Sequence, residues 1–182
     1  MTIPTTLPDD ILACKVQALS ILQPWPHHIF DPLDRKDVEN RKWFTRYRGW
    51  FLVHAGKSDR EDPDYIREYQ LPMGGIVGIA RITDCVQHMD SKWFYGPYGF
   101  VLADATPLPL IPCRGMQRFF HLTPEALAAT AQAVRALLKQ VQAFDDITKV
   151  CPQDTIYGQR ATLEWANPDC RGHGGSPVKR GS

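Results

Sequence analysis

Apolar and polar positions alternate from Lys15 to Leu22 (KVQALSIL), which puts Val16, Ala18 and Ser20 on one face of a strand and Leu19 and Ile21 on the other. Gln23-Pro24-Trp25-Pro26 ends that strand, and a short helical turn from His27 to Phe30 is stopped by Pro32. KDVENR reads as a short strand with Asp37, Glu39 and Arg41 on one face and Val38 pointing inward. GWFLVHA, Gly49 to Ala55, is apolar on both faces, as a strand inside a barrel or sandwich is. Asp62-Pro63 supplies an N-cap and a first-turn proline for a helix running to about Gln70. Two further strands follow in GGIVGIARITDCV and YGFVLADATPLPL, and their Gly74, Gly75, Gly78 and Gly99 suit the bends and bulges that curl a sheet.

From Thr123 the period changes. Leu127, Ala131, Val134, Leu138 and Val141 form one stripe at helical spacing, and the longest helix is predicted over Thr123 to Ala143. Beyond Phe144 the periodicity fades, and ATLEW reads as one more short strand. The expected organisation is a loose segment over 1–14, one mixed α/β (α+β) domain over 15–165, and a disordered tail over 166–182 whose Gly, Pro, Ser and charge content cannot offset ordering entropy. The domain should be a small β-barrel of about five to six strands with helices around it.

The length of 182 residues and the 43% hydrophobic content fit one domain with a real core. Five cysteines, Cys14, Cys85, Cys113, Cys151 and Cys170, form no C-x-x-C pair, so neither a disulfide framework nor a zinc ribbon is expected and a reducing cytoplasm fits. No apolar run approaches the ~18 residues of a membrane span, and MTIPTTLPDD lacks the order of a signal peptide. A soluble cytoplasmic protein with no membrane partner is expected; the oligomeric state is left open.

Charge changes the picture locally. Between Asp34 and Lys57 the chain carries seven cations against three carboxylates, a net +4, whereas the whole chain is only +1. Lys36, Arg41, Arg46, Arg48 and Lys57 are placed to meet phosphates, and Trp25, Trp43 and Tyr47 to stack on unpaired bases, the pairing of cations with aromatics by which single strands are held. The competing reading makes the tryptophans core anchors and the arginines a solvated face. HAGKS has the end of a phosphate-binding loop, but the G-x-x-x-x-G-K-[ST] pattern needs glycine where Phe51 stands. No H-E-x-x-H or His/Cys cluster occurs, so no metal and no cofactor are expected, and no G-x-S-x-G elbow is present. His54, sharing a face with Trp50 and Leu52, reads as a core histidine before it reads as a catalyst.

Taken together, S-I-x-Q-P-W (Ser20 to Trp25), K-D-V-E-N-R, T-R-Y-R-G-x-F-L-V-H-A and YGFVLAD resemble an ASCH domain, a branch of the PUA-like superfamily, of the small bacterial type. The similarity covers about Val16 to Leu122. It includes the G-x-K-x-x-E-x-R signature, with Lys36, Glu39 and Arg41 at its charged positions and Asp34 in place of its glycine. The resemblance implies a PUA-like barrel with a cleft lined by the signature, and a family whose members bind RNA or act on nucleic acids and nucleosides.

Single-stranded RNA or another single-stranded nucleic acid is therefore the expected partner. Metal-independent ribonuclease activity would use the RNA 2′-hydroxyl as nucleophile, with Lys36 or Tyr47 acting on the phosphate and Glu39 as a base. An alternative is a small amidohydrolase acting on an N4-acylated cytidine; in members of that type the lysine is followed three positions later by a threonine, where this chain has Glu39. A non-catalytic binding module of a larger assembly is the third reading.

Overall fold

The computed structural model describes residues 3–150, the side chains of 146–150 excepted. The ATLEW strand, the end of the 15–165 domain and the 166–182 tail lie outside the described residues. The chain divides into two units, Met1–Phe144 and Asp145–Ser182, and every described strand belongs to the first.

Six strands form one mixed sheet: β1 (Ala18–Ile21), β2 (Val38–Arg41), β3 (Gly49–Ala55), β4 (Gly75–Val86), β5 (Tyr98–Pro112) and β6 (Phe119–Phe120), in the order β2-β5-β4-β3-β1-β6. β1 and β3 run parallel and all other pairs are antiparallel. Four helices complete the described chain: α1 (Leu7–Leu12), α2 (Trp25–Phe30), α3 (Pro63–Glu68) and α4 (Pro124–Val150). Asp62 caps α3 as its position predicts, accepting from the Tyr65 N–H at 3.1 Å. Thr123 does the same for α4, more loosely, from Ala126.

The sheet has an apolar core on each face. Val16, Ala18, Leu52, Ile76 and Ile79 face α1 and α4, while Leu19, Ile21, Phe51, Val53, Val77 and Ala80 face the other way, toward Ile29 of α2. Ile76 and Ile79 share a side although three positions apart, which strict alternation forbids. The register shift against β3 supplies the extra residue, since the consecutive Val53 and His54 stand opposite Gly78 and Ile76 and leave Val77 additional on β4. Gly78 is needed there for a steric reason too: a Cβ would stand 2.2 Å from Phe30 Cζ and 2.6 Å from the Thr106 carbonyl oxygen.

Curling follows from one distance. Phe100 on β5 and Phe119 on β6 have β4, β3 and β1 between them, so a flat sheet would hold them roughly 19 Å apart. Their ring centroids are 6.2 Å apart, and Trp43 packs edge-on against both. The two ends of the sheet are thus folded toward each other around an aromatic plug.

β2 pairs with β5 only over Tyr98–Val101, so the later part of β5 has β4 on one side and no β2 on the other. That is where Pro107, Pro109 and Pro112 fall, all exposed, in keeping with the confinement of proline to sheet edges.

Two expectations are corrected. The start of the chain is not loose throughout: α1 buries Leu7 and Ile11 against Ala131 and Val134 of α4, and Arg135 pairs with Asp9 at 2.7 Å. Its apolar positions, i and i+4, are too few to stand out as a helical stripe in sequence. The α4 stripe is buried at Leu127, Ala131 and Val134 but ends in solvent, Val141 being 44% exposed. Replacing Ile11, which is fully buried, with Ala should lower the unfolding free energy by about 2–5 kcal/mol in a urea titration. An unchanged midpoint would show that α1 does not contribute to the core.

Candidate nucleic-acid interface

β2 brings Glu39 and Arg41 onto one face, and the residues around them form a charge network. Glu39 Oε2 accepts from Lys36 Nζ at 3.0 Å, and Oε1 forms an ion pair with Arg41 Nη2 at 3.2 Å. The same Arg41 Nη2 donates to the carbonyl oxygen of Ser20 on β1 at 2.7 Å, so the network spans the gap between β2 and β1. Arg41 Nε is buried and has no hydrogen-bond partner.

Lys36 is the first correction to the expected site. It is only 1% exposed, its ammonium also donates to the Val38 carbonyl, and it lies 5.9 Å from the Trp25 ring centroid. It is a buried counter-charge behind Glu39, not a cation at the mouth of the cleft. Glu39, itself nearly buried, has both oxygens occupied by cations, so acting as a base would require it to give one of them up.

In front of the network lies a cleft of about 590 Å³, lined by Trp25, Trp43, Glu39, Arg41, Lys42, Arg60 and Tyr95 among others. Its outer wall is the loop before β5, held by Asn40: Oδ1 accepts from the Tyr95 and Gly96 N–H groups at 3.0 and 3.1 Å, and Nδ2 donates to the Trp93 carbonyl at 2.7 Å. Tyr95 stands 68% exposed on that wall. On the inner side, Gln23 positions α2 and hence Trp25, donating to the Pro72 carbonyl at 2.8 Å and accepting from the His27 N–H.

Ser20, Arg41 and Trp43 also line a smaller concavity of about 330 Å³ with Met116, Gln117 and Arg118. Ser20, Met116 and Gln117 in turn line a groove of about 1150 Å³ that adds Lys57, Cys113, Arg114 and Gly115. Shared walls make the three spaces neighbours along one path. Six cations line it, Arg41, Lys42, Lys57, Arg60, Arg114 and Arg118, against two carboxylates, Glu39 and Glu61.

Trp25, Glu39, Arg41 and Trp43 are therefore gathered in the cleft, and Lys57 lies in the adjoining groove. Trp43 serves two roles: its edge packs into the aromatic plug while the Arg118 guanidinium sits 5.6 Å from its ring centroid. Tyr47, Arg46 and Arg48 line neither space. The Tyr47 hydroxyl donates to the Trp50 carbonyl, its ring stacks on Phe119 at 4.6 Å, and burial pushes the phenol above its ordinary pKa. Arg48 is held by Asp84 at 2.7 Å and by the carbonyls of Thr45 and Tyr47, while Arg46 is simply exposed. Arg60, Tyr95, Arg114 and Arg118 were missed in sequence; the one available signal was the pair of arginines in CRGMQR.

His54 is buried, with Nδ1 3.2 Å from Ser20 Oγ and Nε2 3.2 Å from the Cys113 carbonyl oxygen. Burial holds its pKa below the ordinary value. Among the described residues no three His, Cys, Asp or Glu side chains cluster as metal ligands, and no helix is long and apolar enough to cross a membrane. No protein-family model matches the chain, and no curated protein matches it.

Two outcomes follow. Lys36→Ala takes one of the two cations from the buried Glu39 carboxylate and should cost about 3–5 kcal/mol of stability, whereas Lys36→Arg, which keeps a positive charge beside it, should cost less in the same denaturation assay. The second concerns acid. Because the folded pKa of His54 is lowered, the unfolded chain binds the extra proton first, so its contribution is complete above about pH 6.5 and is lost as pH falls below that. Thermal midpoints measured from pH 7.5 to 5 should fall less for His54→Gln than for the wild type; parallel curves would refute the assignment.

Proposed function

We propose that this chain is an ASCH-type, PUA-like domain that binds single-stranded RNA or another single-stranded nucleic acid along the path from the Trp25–Trp43 cleft to the Lys57–Arg114 groove. The observation that carries the reading is the lining of that path: aromatic rings in the cleft, and six cations to two carboxylates on a chain of net charge +1. A cleft of about 590 Å³ has the volume for an unstacked base, and the groove beyond it has the charge for the phosphates that follow. Trp25 and Tyr95 offer ring surface; Trp43 offers it once Arg118 moves to a phosphate.

A second reading is a hydrolase acting on an N4-acylated cytidine. It is supported by the nucleoside-sized cleft with Glu39 in its lining and Lys36 paired behind it. Ribonuclease action by Lys36 and Tyr47 has less support, since the ammonium is buried and the phenol is engaged by Trp50.

The test is fluorescence anisotropy with labelled single-stranded RNA and DNA across a salt series, in chelator, with turnover of acetylated cytidine assayed in parallel. Log affinity should fall with log salt at about −0.7 per phosphate neutralised. Arg114→Ala and Arg118→Ala should each flatten the slope by about one contact, whereas Arg48→Ala, whose guanidinium is held by Asp84, should leave it unchanged. Trp25→Ala should weaken binding by about 1–3 kcal/mol at every salt concentration. Absence of salt-dependent binding together with deacylation of the nucleoside would replace the nucleic-acid reading with the hydrolase.

A further inference from the structure

Ser20 is the one residue that lines the cleft, the small concavity and the large groove alike. In the parallel pairing of β1 with β3 it stands opposite His54. The hydrogen-bond roles between them are fixed by the far side of the ring. The Cys113 carbonyl can only accept, so His54 Nε2 carries the proton, Nδ1 presents a lone pair, and the Ser20 hydroxyl donates to it across 3.2 Å. A hydroxyl bonded to an imidazole whose tautomer is set by a third group is the arrangement that activates a nucleophile.

Three further features suit the pair to chemistry. His54 is 2% exposed while Ser20 faces the cavities, so a reactant meets the hydroxyl and the base is screened from water. Main chain covers the pair at Gly115, where a Cβ would stand 2.7 Å from Ser20 Oγ and 2.4 Å from His54 Cε1; any side chain there would push them apart. Arg41 Nη2 donates to Ser20's own carbonyl at 2.7 Å, so a positive charge lies against this residue. The neighbouring Cys113 thiol is raised in pKa by burial and is a poor competitor as nucleophile.

We propose that Ser20 and His54 are a nucleophile–base pair for acyl transfer, taking carboxylic esters whose remaining part is anionic and lies among Lys57, Arg114 and Arg118. This activity goes beyond the nucleic-acid reading and does not rest on it. Ser20 Oγ bonds to the ester carbonyl carbon as its proton passes to His54 Nδ1. The tetrahedral intermediate then collapses with cleavage of the C–O bond to the alcohol, which leaves with that proton. Water attacks the acyl-serine, gives a proton to Nδ1, and the acid departs as the Ser20 hydroxyl is restored. The sum is ester plus water to acid plus alcohol.

The experiment is labelling of the full chain with a fluorophosphonate, read by intact mass and peptide mapping, alongside hydrolysis of a nitrophenyl ester. A single adduct on Ser20 is expected in the folded protein, none in heat-denatured protein, and none in Ser20→Ala. Loss of the base in His54→Gln should slow labelling and hydrolysis by about 10²–10⁴-fold. Gly115→Ala, which leaves both groups in place but separates them, should slow both reactions in the same direction, and it serves if His54→Gln fails to fold. Absence of an adduct on Ser20 in the wild type, or labelling that persists undiminished in whichever of these variants folds, would overturn the proposal and leave the Ser20–His54 bond a means of satisfying a buried ring. Either result is independent of whether RNA binds.

Discussion

The carboxylate of Glu39 is the point on which this fold turns. One oxygen faces Lys36 and the other faces Arg41, and Arg41 reaches on to the Ser20 carbonyl, so a single buried acid joins β2 at one end of the sheet to β1 near the other. The aromatic plug of Phe100, Trp43 and Phe119 presses the ends together without direction, as apolar burial does. The ion network adds the direction, because its donors and acceptors meet only in one alignment. Closure and cleft are consequently one construction, and a residue of the signature cannot be altered for its chemistry without also being altered for its part in holding the sheet curled.

The cations fall into two populations that the sequence does not separate. Lys36, Arg41, Arg48 and Arg60 are engaged by acids or carbonyls of the protein itself, whereas Lys42, Lys57, Arg114 and Arg118 are exposed along the cavities. Position in the +4 segment is a poor guide to which is which. Arg48 finds Asp84 on β4, 36 residues on, and Arg114 and Arg118 come to the groove from the turn between β5 and β6. A ligand of the path would meet a field made by side chains from three separate stretches of chain, 41–42, 57–60 and 114–118.

Local physics was legible, long-range physics was not. The alternation in β1, the two-faced apolarity of β3, the Asp62-Pro63 start of α3 and the stripe of α4 are each decided by neighbours in sequence, and the structure has them. β6 is two residues long and exists because Phe119 and Phe120 pair with Leu19 and Ala18, so no periodicity announces it. The burial of Lys36 depends on Glu39, the Val38 carbonyl and the Trp25 ring being in place first. His54 was legible as a buried ring, but its link to Ser20 arises from a parallel register between strands some thirty residues apart, and its tautomer from a carbonyl on a third strand's end.

The prolines of β5 bear on a hazard that every open sheet carries. Past Leu102 this strand has no paired strand on the side away from β4, and Leu110 is 41% exposed there, the combination that invites a strand of another molecule to add on and propagate into aggregates. Pro107, Pro109 and Pro112 recur along that stretch and have no N–H to offer an incoming strand. An edge that pairs well inward with β4 is thus made a poor template outward, and the longest strand of the curled sheet is kept from recruiting copies of itself.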